Sequence, residues 1–249
     1  MNTIVFDKYG CIGVLTLNRR DSYNAVDNQM LVELEGLFDE LSFMDDVVVL
    51  VLNGGDCKGF CAGLDMKTFG PEIFRMSTKD MYRIQARLSR LLLKMRQIPQ
   101  PIIAAIHGSA AGLGFSFAMA SDIRIITPDA RFCAAYLNIG LGGADMASSY
   151  FLPRQIGAGR AYEFLLTGEW MSADEALALG FVSKIVGKEN LMSEALRIAE
   201  IIASKNHLGI KMTKEAINIA LDVPSLEAAL NIEDRNQVML ILDRNQKKE

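Results

Sequence analysis

Apolar residues follow two different spacings in the first fifth of the chain. Short apolar runs at residues 3–6 and 12–17 flank a polar break that contains a glycine, and this arrangement predicts two strands joined by a turn. Residues 27–41 instead place apolar side chains three and four positions apart, which predicts an amphipathic helix capped by Asp27. The continuous apolar run VVVLVL at residues 47–52 predicts a strand buried on both faces.

The alternation of helix and strand continues to residue 127. A predicted helix at residues 79–96 leads to a strand at 102–106, and a predicted helix at 113–120 leads to a strand at 122–127. Because strands and helices alternate, this part of the chain favours βαβ units and an α/β fold.

Helical spacing dominates beyond residue 157, where FVSKIV at residues 181–186 is the one predicted strand. The predicted helices cover residues 159–167, 172–179, 190–204, 208–221 and 225–242. Ser172 stands three residues before Glu175, the spacing of a capping box, and Gly180 ends that helix. We therefore predict a core over residues 1–188 and a C-terminal helical region over 189–249, packed on the core or on a neighbouring subunit.

Composition excludes several classes of protein. The chain has 249 residues, half of them hydrophobic, which is long enough to bury a stable core without disulfides or metal. Its 30 acidic and 26 basic residues give a net charge of -4 and are spread along the chain, so nucleic acid is not an expected partner. The four cysteines form no CxxC pair and the two histidines are far apart, so we expect no metal site. The N-terminal segment lacks the order of a secretory signal, and we expect a cytoplasmic protein with reduced thiols.

Residues 98–121 carry no formal charge and are long enough to cross a membrane. Pro99 and Pro101 interrupt this stretch, and so do three glycines further on. The segment PIIAAI therefore predicts a strand followed by a glycine turn, and we expect no membrane association.

Two glycine-flanked segments, KGFCAGLDM at residues 58–66 and HGSAAGLGFSFAMASD at 107–122, each follow a predicted buried strand. Small residues let the main chain approach a ligand closely, and a helix that begins near Leu113 presents unpaired N–H groups. Together the two turns would hold a developing oxyanion, although each alone is also typical of an ordinary strand-to-helix turn. A dinucleotide site is not supported, because Phe117 stands where GxGxxG requires glycine.

Four segments of the chain resemble the crotonase (enoyl-CoA hydratase/isomerase) superfamily in their order and spacing. They are LNRRDSYNAV at 17–26, the turn at 58–66, IHGSAAGLGFSFAMASDIRI at 106–125 and LTGEWMSADEALALGFVSKIV at 166–186. The resemblance implies a spiral core of ββα turns and a C-terminal helical region that builds a homotrimer or a dimer of trimers. It also implies an acyl-CoA thioester as ligand, with coenzyme A arriving as part of the substrate and no separate cofactor.

By the same resemblance, the backbone N–H groups of Leu64 and Leu113 are the two oxyanion donors. Such fixed donors strengthen as the thioester oxygen gains charge, and losing one typically costs on the order of 100- to 1000-fold in rate. The positions that would contact the substrate are Asp21, Tyr23, Lys58 (towards a phosphate), Ala62, Gly63, Asp65, Met66, Gly112, Ser116 and Tyr136. For Asp65, the alternative is an N-terminal helix cap.

The two glutamates that activate water in hydratases of this superfamily match Ser116 and Tyr136 here, and neither serves as a carboxylate base. Asp145 stands eight residues before Pro153, where several isomerases of the superfamily and a dehalogenase branch keep their catalytic aspartate. The resemblance therefore favours enoyl-CoA isomerisation with Asp145 as the catalytic acid and base. The alternative for Asp145 is the N-cap of a helix that runs to residue 156.

Other functions stay open at this stage. Hydration or thioester hydrolysis would use the same pocket. A serine hydrolase is disfavoured because GLGFSFA around Ser116 is not GxSxG, and a dehalogenase because its histidine would fall near Ser89. A non-catalytic acyl-CoA or RNA binder is the alternative from another class, since the predicted helix at 79–96 is basic and Asp80 alone opposes its charge. Its basic residues are Lys79, Arg83, Arg87, Arg90, Lys94 and Arg96.

Overall fold

The computed structural model describes residues 1–73, 75–223 and 225–246. The strands in this part of the chain are β1 (Ile4–Tyr9), β2 (Ile12–Leu17), β3 (Val49–Asn53), β4 (Ile102–Ile106), β5 (Ser109–Ala111), β6 (Ile123–Ile126), β7 (Arg131–Cys133), β8 (Met171–Ser172) and β9 (Lys184–Ile185). The α-helices are α1 (Asn28–Leu41), α2 (Gly70–Ile73), α3 (Thr78–Gln97), α4 (Leu113–Ala120), α5 (Ser148–Ile156), α6 (Ala158–Thr167), α7 (Ala173–Ala178), α8 (Leu191–Ala203), α9 (His207–Asp222) and α10 (Leu226–Gln246).

The larger sheet has the strand order β1-β2-β3-β4-β6-β9. β1 and β2 form an antiparallel hairpin, and every other neighbouring pair in this sheet is parallel. The predicted hairpin and βαβ pattern are therefore confirmed. A smaller sheet, β5-β7-β8, stands beside it.

Side chains of β3 enter two separate cores, which confirms that this strand is buried on both faces. Leu50 and Leu52 join the core that contains α1, α3 and α4. Val49 and Val51 join a second core in which α8 covers the opposite face of the sheet. The parallel strands thus lie between two helical layers, the arrangement expected for βαβ units.

Local capping explains where two helices begin, and a glycine precedes a third. The carboxylate of Asp27 accepts a hydrogen bond of 2.8 Å from the Met30 amide at the start of α1, as predicted. Ser172 and Glu175 form a complete capping box at the start of α7. Helix α4 spans the predicted residues, is buried along its whole length and begins directly after Gly112.

The strands beyond residue 157 differ from the prediction. Only residues 184–185 of the predicted strand at 181–186 pair with β6. The amides of Phe181 and Val182 instead donate to the carbonyl of Ala176, because this segment turns back on the end of α7 before it reaches the sheet. The prediction also missed β8, a two-residue strand that pairs antiparallel with β7.

The C-terminal region contains the predicted helices, and residues 224 and 247–249 of it lie outside the described residues. Helix α9 is held on the core by Lys214, whose buried ammonium lies 3.0 Å from the carboxylate of Asp122 and donates to the carbonyl of Gln100 at 2.8 Å. Helix α10 packs on α9 and buries Asn236. Large apolar side chains exposed on α10 are Leu226, Leu230, Val238, Met239, Ile241 and Leu242. In the described residues, no helix combines the length and the apolarity that a membrane crossing needs.

Candidate active site

The two predicted glycine turns are joined to each other by backbone hydrogen bonds. The Cys61 amide donates to the carbonyl of Ser109 at 3.2 Å, and the Ala111 amide donates to the carbonyl of Cys61 at 3.0 Å. A β-carbon at Gly114 would lie 2.2 Å from the Cys61 carbonyl oxygen, so only glycine lets α4 pack this closely on the first turn. The start of α4 is thereby fixed against residues 61–64.

Gly63 brings the two predicted oxyanion donors side by side. Its φ angle of +95° favours glycine, and a β-carbon at this position would lie 2.8 Å from the Ala111 carbonyl oxygen and 3.3 Å from the Leu113 nitrogen. The Leu64 amide follows Gly63 directly in the chain. Leu64 and Leu113 therefore place their amides on either side of one backbone contact.

Both amides are available for a ligand. Leu64 forms a parallel bridge with Val26. The Val26 amide donates to the Gly63 carbonyl at 2.7 Å, and the Val26 carbonyl accepts from the Asp65 amide at 2.9 Å. Since Val26 bonds to the residues on either side of Leu64, the Leu64 N–H points away from Val26. The Leu113 N–H belongs to the first turn of α4, where helical amides have no partner within the helix. Neither amide donates to an acceptor within residues 1–73, 75–223 and 225–246. The Leu113 side chain is buried in the core, which leaves its N–H as the group it can offer.

Residues predicted to line the coenzyme A channel lie around the first turn. The Ala62 amide donates to the carbonyl of Tyr23 at 3.0 Å, which joins the segment 19–26 to this turn. Five of the predicted contact residues are exposed: Asp21, Tyr23, Lys58, Ala62 and Met66. A ligand can therefore reach these five positions from solvent, and their contact with coenzyme A stays a prediction.

Asp65 anchors the turn through its carboxylate. It lies 3.0 Å from the Arg19 guanidinium and accepts hydrogen bonds from the amides of Lys67 and Thr68. Burial acts to raise the pKa of this carboxyl, but the Arg19 hydrogen bond and the two amides outweigh it and lower the pKa below 3.8. The Asp65 side chain thus caps a turn in the way that an N-cap residue caps a helix. It is not itself a helix N-cap, because the next helix begins five residues later, at Gly70.

Asn24 holds the same region together and was not predicted as a site residue. Its side-chain amide donates to the carbonyls of Gly54 at 2.9 Å and Phe60 at 3.0 Å, and its oxygen accepts from the Arg19 amide at 2.9 Å. Its φ angle of +53° lies in the left-handed region, which asparagine tolerates better than most residues. Asn24 is one of several polar residues in LNRRDSYNAV, and no sequence signal distinguishes it from the others.

Ser116 and Tyr136 form a buried pair of hydroxyl groups beside the second turn. Their oxygens are 3.3 Å apart, and the Ser116 hydroxyl also lies 3.4 Å from the carbonyl of Gly112. Burial raises the pKa of Tyr136; the hydrogen bond with Ser116 partly offsets this rise, and the charge of Asp145 adds to it. Both hydroxyls therefore stay protonated at neutral pH.

Asp145 is half-buried in a tight turn. Its Oδ1 accepts hydrogen bonds from the side-chain amide of Gln85 at 2.6 Å and from the Met146 amide at 2.8 Å, and its own amide donates to the Ser148 hydroxyl at 3.1 Å. The alternative of a helix cap is wrong for Asp145, because the N-cap residue of α5 is Ala147. Gln85 was also missed, since nothing in the sequence relates two positions 60 residues apart.

The basic helix face is largely neutralised, which corrects the interpretation that Asp80 alone opposes it. Helix α3 packs against α1, and α1 supplies two carboxylates to the basic side chains. The ion pairs of α3 are Arg83–Asp80, Arg87–Glu35, Lys94–Asp39 and Arg96–Asp122. A positive surface for an RNA backbone is therefore weaker in the fold than in the sequence.

Known proteins match nearly the whole chain. A model of the enoyl-CoA hydratase/isomerase family matches residues 7–249. The probable enoyl-CoA hydratase EchA12 of Mycobacterium tuberculosis is 37% identical over 235 residues, which are 93% of this chain and 82% of that protein. A probable enoyl-CoA hydratase/isomerase from Mycobacterium abscessus has a TM-score of 0.88 at 36% identity and covers 96% of this chain and 90% of its own. A monofunctional enoyl-CoA isomerase from Mycobacterium smegmatis has a TM-score of 0.78 at 31% identity, and the match covers 92% of this chain and 99% of that protein.

Fold, paired turns and sequence similarity define an α/β enzyme of the crotonase type, which confirms the predicted superfamily and fold class. The chain belongs to the enoyl-CoA hydratase/isomerase family. Both a probable hydratase and an isomerase occur among the similar proteins, so membership of the family does not decide between hydration and isomerisation.

Proposed function

We propose that this enzyme binds an enoyl-CoA thioester and isomerises its double bond, with Asp145 moving the proton. The observation that carries the proposal is the pair of amides, Leu64 and Leu113, on either side of the Gly63 contact; neither has an acceptor in the described part of the chain. Two such donors lower the energy of a thioester enolate because their hydrogen bonds strengthen as negative charge gathers on the oxygen.

The reaction needs one group that removes a proton and returns it. The Asp145 carboxylate takes a proton from Cα of a 3-enoyl thioester. The electron pair of that C–H bond forms a double bond between Cα and the thioester carbon, and the carbonyl π pair moves to the oxygen, which gives a dienolate. Leu64 and Leu113 donate to the enolate oxygen during this step. Protonated Asp145, whose proton exchanges with solvent while the dienolate is bound, then delivers a proton to Cγ, which gives the 2-enoyl thioester and restores the carboxylate.

Ser116 and Tyr136 support isomerisation because they stand at the positions of the two hydratase glutamates as neutral hydroxyls. The Tyr136 ring packs near Gly112, where it would border the acyl group. Water addition is the second candidate, and the similarity to a probable enoyl-CoA hydratase favours it. In that reaction Asp145 would position the attacking water.

Assembly is part of the same proposal. The apolar side chains exposed on α10 are unusual for a surface helix and would be covered in a homotrimer or a dimer of trimers. If α10 contacts a neighbouring subunit in this way, residues 189–249 are the assembly region and residues 1–188 are the catalytic core, as the sequence predicts.

Substitution of the proposed acid and base tests the reaction. Asp145→Asn should lower kcat with a 3-enoyl-CoA by at least about 1000-fold, because the amide cannot accept the proton. Affinity for the thioester, measured by calorimetry, should stay within about threefold, since the oxyanion donors are unchanged. Asp7→Asn, at an exposed carboxylate on β1, is the matched control and should leave both values unchanged. Retained turnover in Asp145→Asn would remove Asp145 from the mechanism.

A further inference from the structure

The carboxylate of Asp145 is held by one of its two oxygens. Gln85 and the Met146 amide both donate to Oδ1, at 2.6 Å and 2.8 Å. Within the described ranges, Oδ2 receives no hydrogen bond. The two oxygens of one carboxylate are therefore in different environments, one fixed and one open.

Helix α3 contacts the turn that carries Asp145 at two successive positions. One helical turn beyond Gln85, the Ser89 hydroxyl lies 3.8 Å from the sulfur of Met146 and donates to the Gln85 carbonyl at 3.1 Å. Residues four apart lie on the same face of a helix, so Gln85 and Ser89 present one surface to this turn.

That turn needs support from outside. Met146 and Ala147 have φ angles of +46° and +62°, in the left-handed region. Residues other than glycine populate this region roughly tenfold less than ordinary backbone conformations, or more rarely still. Strained positions of this kind persist when the surroundings fix them. The contacts from α3 supply such a constraint directly beside Asp145.

We propose that Gln85 is a positioning residue for the reaction, which fixes Oδ1 of Asp145 and leaves Oδ2 as the atom that accepts and returns the proton. The inference rests on the proposed function, because it assigns a role to Gln85 only if Asp145 moves the proton. Gln85 itself does not touch the reacting atoms; it acts through the carboxylate.

A neutral amide donor has two effects on a carboxylate. It restricts rotation, so Oδ2 keeps one direction, and misplacing a catalytic group by about 1 Å can cost about 100-fold in rate. It also stabilises the ionised form, which is the form that removes a proton. Burial and the charge of Asp145 both raise the pKa of Tyr136, so this phenol stays neutral at the pH of the experiment.

Two variants and a matched control test this role. Gln85→Leu keeps a similar volume and removes the donor; it should lower kcat about tenfold, change KM by less than about twofold, and move the acid limb of the pH–rate profile to higher pH. Gln85→Glu should lower kcat further at neutral pH, because a second carboxylate repels Asp145. Gln29→Leu removes an exposed amide that donates 2.8 Å to Glu33 on α1, away from the site, and should leave the rate unchanged.

The outcomes separate this inference from the proposed function. Wild-type kcat and an unmoved acid limb in Gln85→Leu, with Asp145→Asn inactive, would overturn the role of Gln85 and keep that of Asp145. A lower kcat with an unmoved acid limb and a lower Tm would also overturn it, because Gln85 would then only support the fold. An active Asp145→Asn would overturn the proposed function itself.

Discussion

The side-chain oxygens of Ser116 and Tyr136 lie 3.3 Å apart in the buried wall of the candidate site. Helix α4 provides the serine, and the segment just before residues 137–139 provides the tyrosine. Since both groups are neutral hydroxyls, they can pack against a substrate and form hydrogen bonds with it. They carry no negative charge, whereas two carboxylates at these positions would. The distinction separates proton transfer by one carboxylate from activation of water by two.

Tyr136→Phe tests whether this tyrosine acts through its ring or its hydroxyl. We expect kcat within about threefold of wild type, because Phe keeps the packing and Ser116 retains its contact with the Gly112 carbonyl. Tyr136→Ala should lower the free energy of unfolding by about 3 kcal/mol, because it opens a cavity. A loss of kcat in Tyr136→Phe as large as in Asp145→Asn would give the hydroxyl a chemical role.

Gly63→Ala should separate the two oxyanion donors. The added methyl would lie 2.8 Å from the Ala111 carbonyl oxygen, so the backbone must move apart at the contact. We expect kcat to fall about 100-fold, the cost of one oxyanion donor, while the protein stays folded by circular dichroism. Gly10→Ala is the control: its φ is also positive, at +60°, but no atom lies within 4 Å of the added methyl. Equal losses of kcat in both variants would refute the contact as the cause.

Asp65→Asn should lower stability and its dependence on pH. The folded protein lowers the pKa of this carboxyl below 3.8, so the folded state binds fewer protons than the unfolded state. The stabilisation is therefore fully present above the unfolded-state pKa of 3.8 and is lost as the pH falls through the lower pKa of the folded state. At neutral pH the variant should lose about 2 kcal/mol, because Arg19 loses a charged partner and keeps Asp27 and the carbonyl of Ala25.

Urea unfolding of wild type and Asp65→Asn, at neutral pH and at about pH 3, measures this difference. The variant should lose less stability on acidification than wild type does. Asp56→Asn, an exposed residue nearby, should behave as wild type. A raised KM with unchanged stability in Asp65→Asn would instead show that Asp65 contacts the substrate.

Lys214→Met should loosen α9 from the core. The Lys214 side chain is 5% exposed, pairs with Asp122 and donates to the Gln100 carbonyl. Its removal leaves Asp122 with Arg96 alone as a cationic partner among the described residues and takes a donor from that buried carbonyl, which should cost about 2 kcal/mol. Lys211→Met on the same helix removes a partner of Asp45, which is 92% exposed, and should cost less than about 1 kcal/mol. Thermal unfolding compares the two, and a cost for Lys211→Met equal to that of Lys214→Met would contradict the assignment.

Elements with strong local signals were predicted accurately from the sequence. Helix α4 occupies its predicted residues because apolar residues fill a segment between Gly112 and the polar end at Ser121. The Asp27 cap and the Ser172 capping box are local contacts over three residues, and both were confirmed. Strands β5, β7 and β8 were missed because two or three residues are too few to show a period.

Contacts between distant residues account for what the sequence did not reveal about the site. The family resemblance identified Asp145 as a candidate, but only folding brings Gln85 to it. The charges of α3 looked unopposed because Glu35 and Asp39 belong to another helix. Hydrophobic periodicity describes one helix or strand at a time, so it cannot reveal contacts between residues of different elements.

Isotope labelling gives the most direct test of the central claim, that two backbone amides stabilise a thioester enolate while one carboxylate moves the proton. The enzyme would be incubated with 2-enoyl-, 3-enoyl- and dienoyl-CoA thioesters in deuterated water, and deuterium would be located by mass spectrometry. We predict a shifted double bond with label at Cα or Cγ and no added water, and no label with Asp145→Asn. A product heavier by one water, or wild-type labelling by Asp145→Asn, would contradict the account.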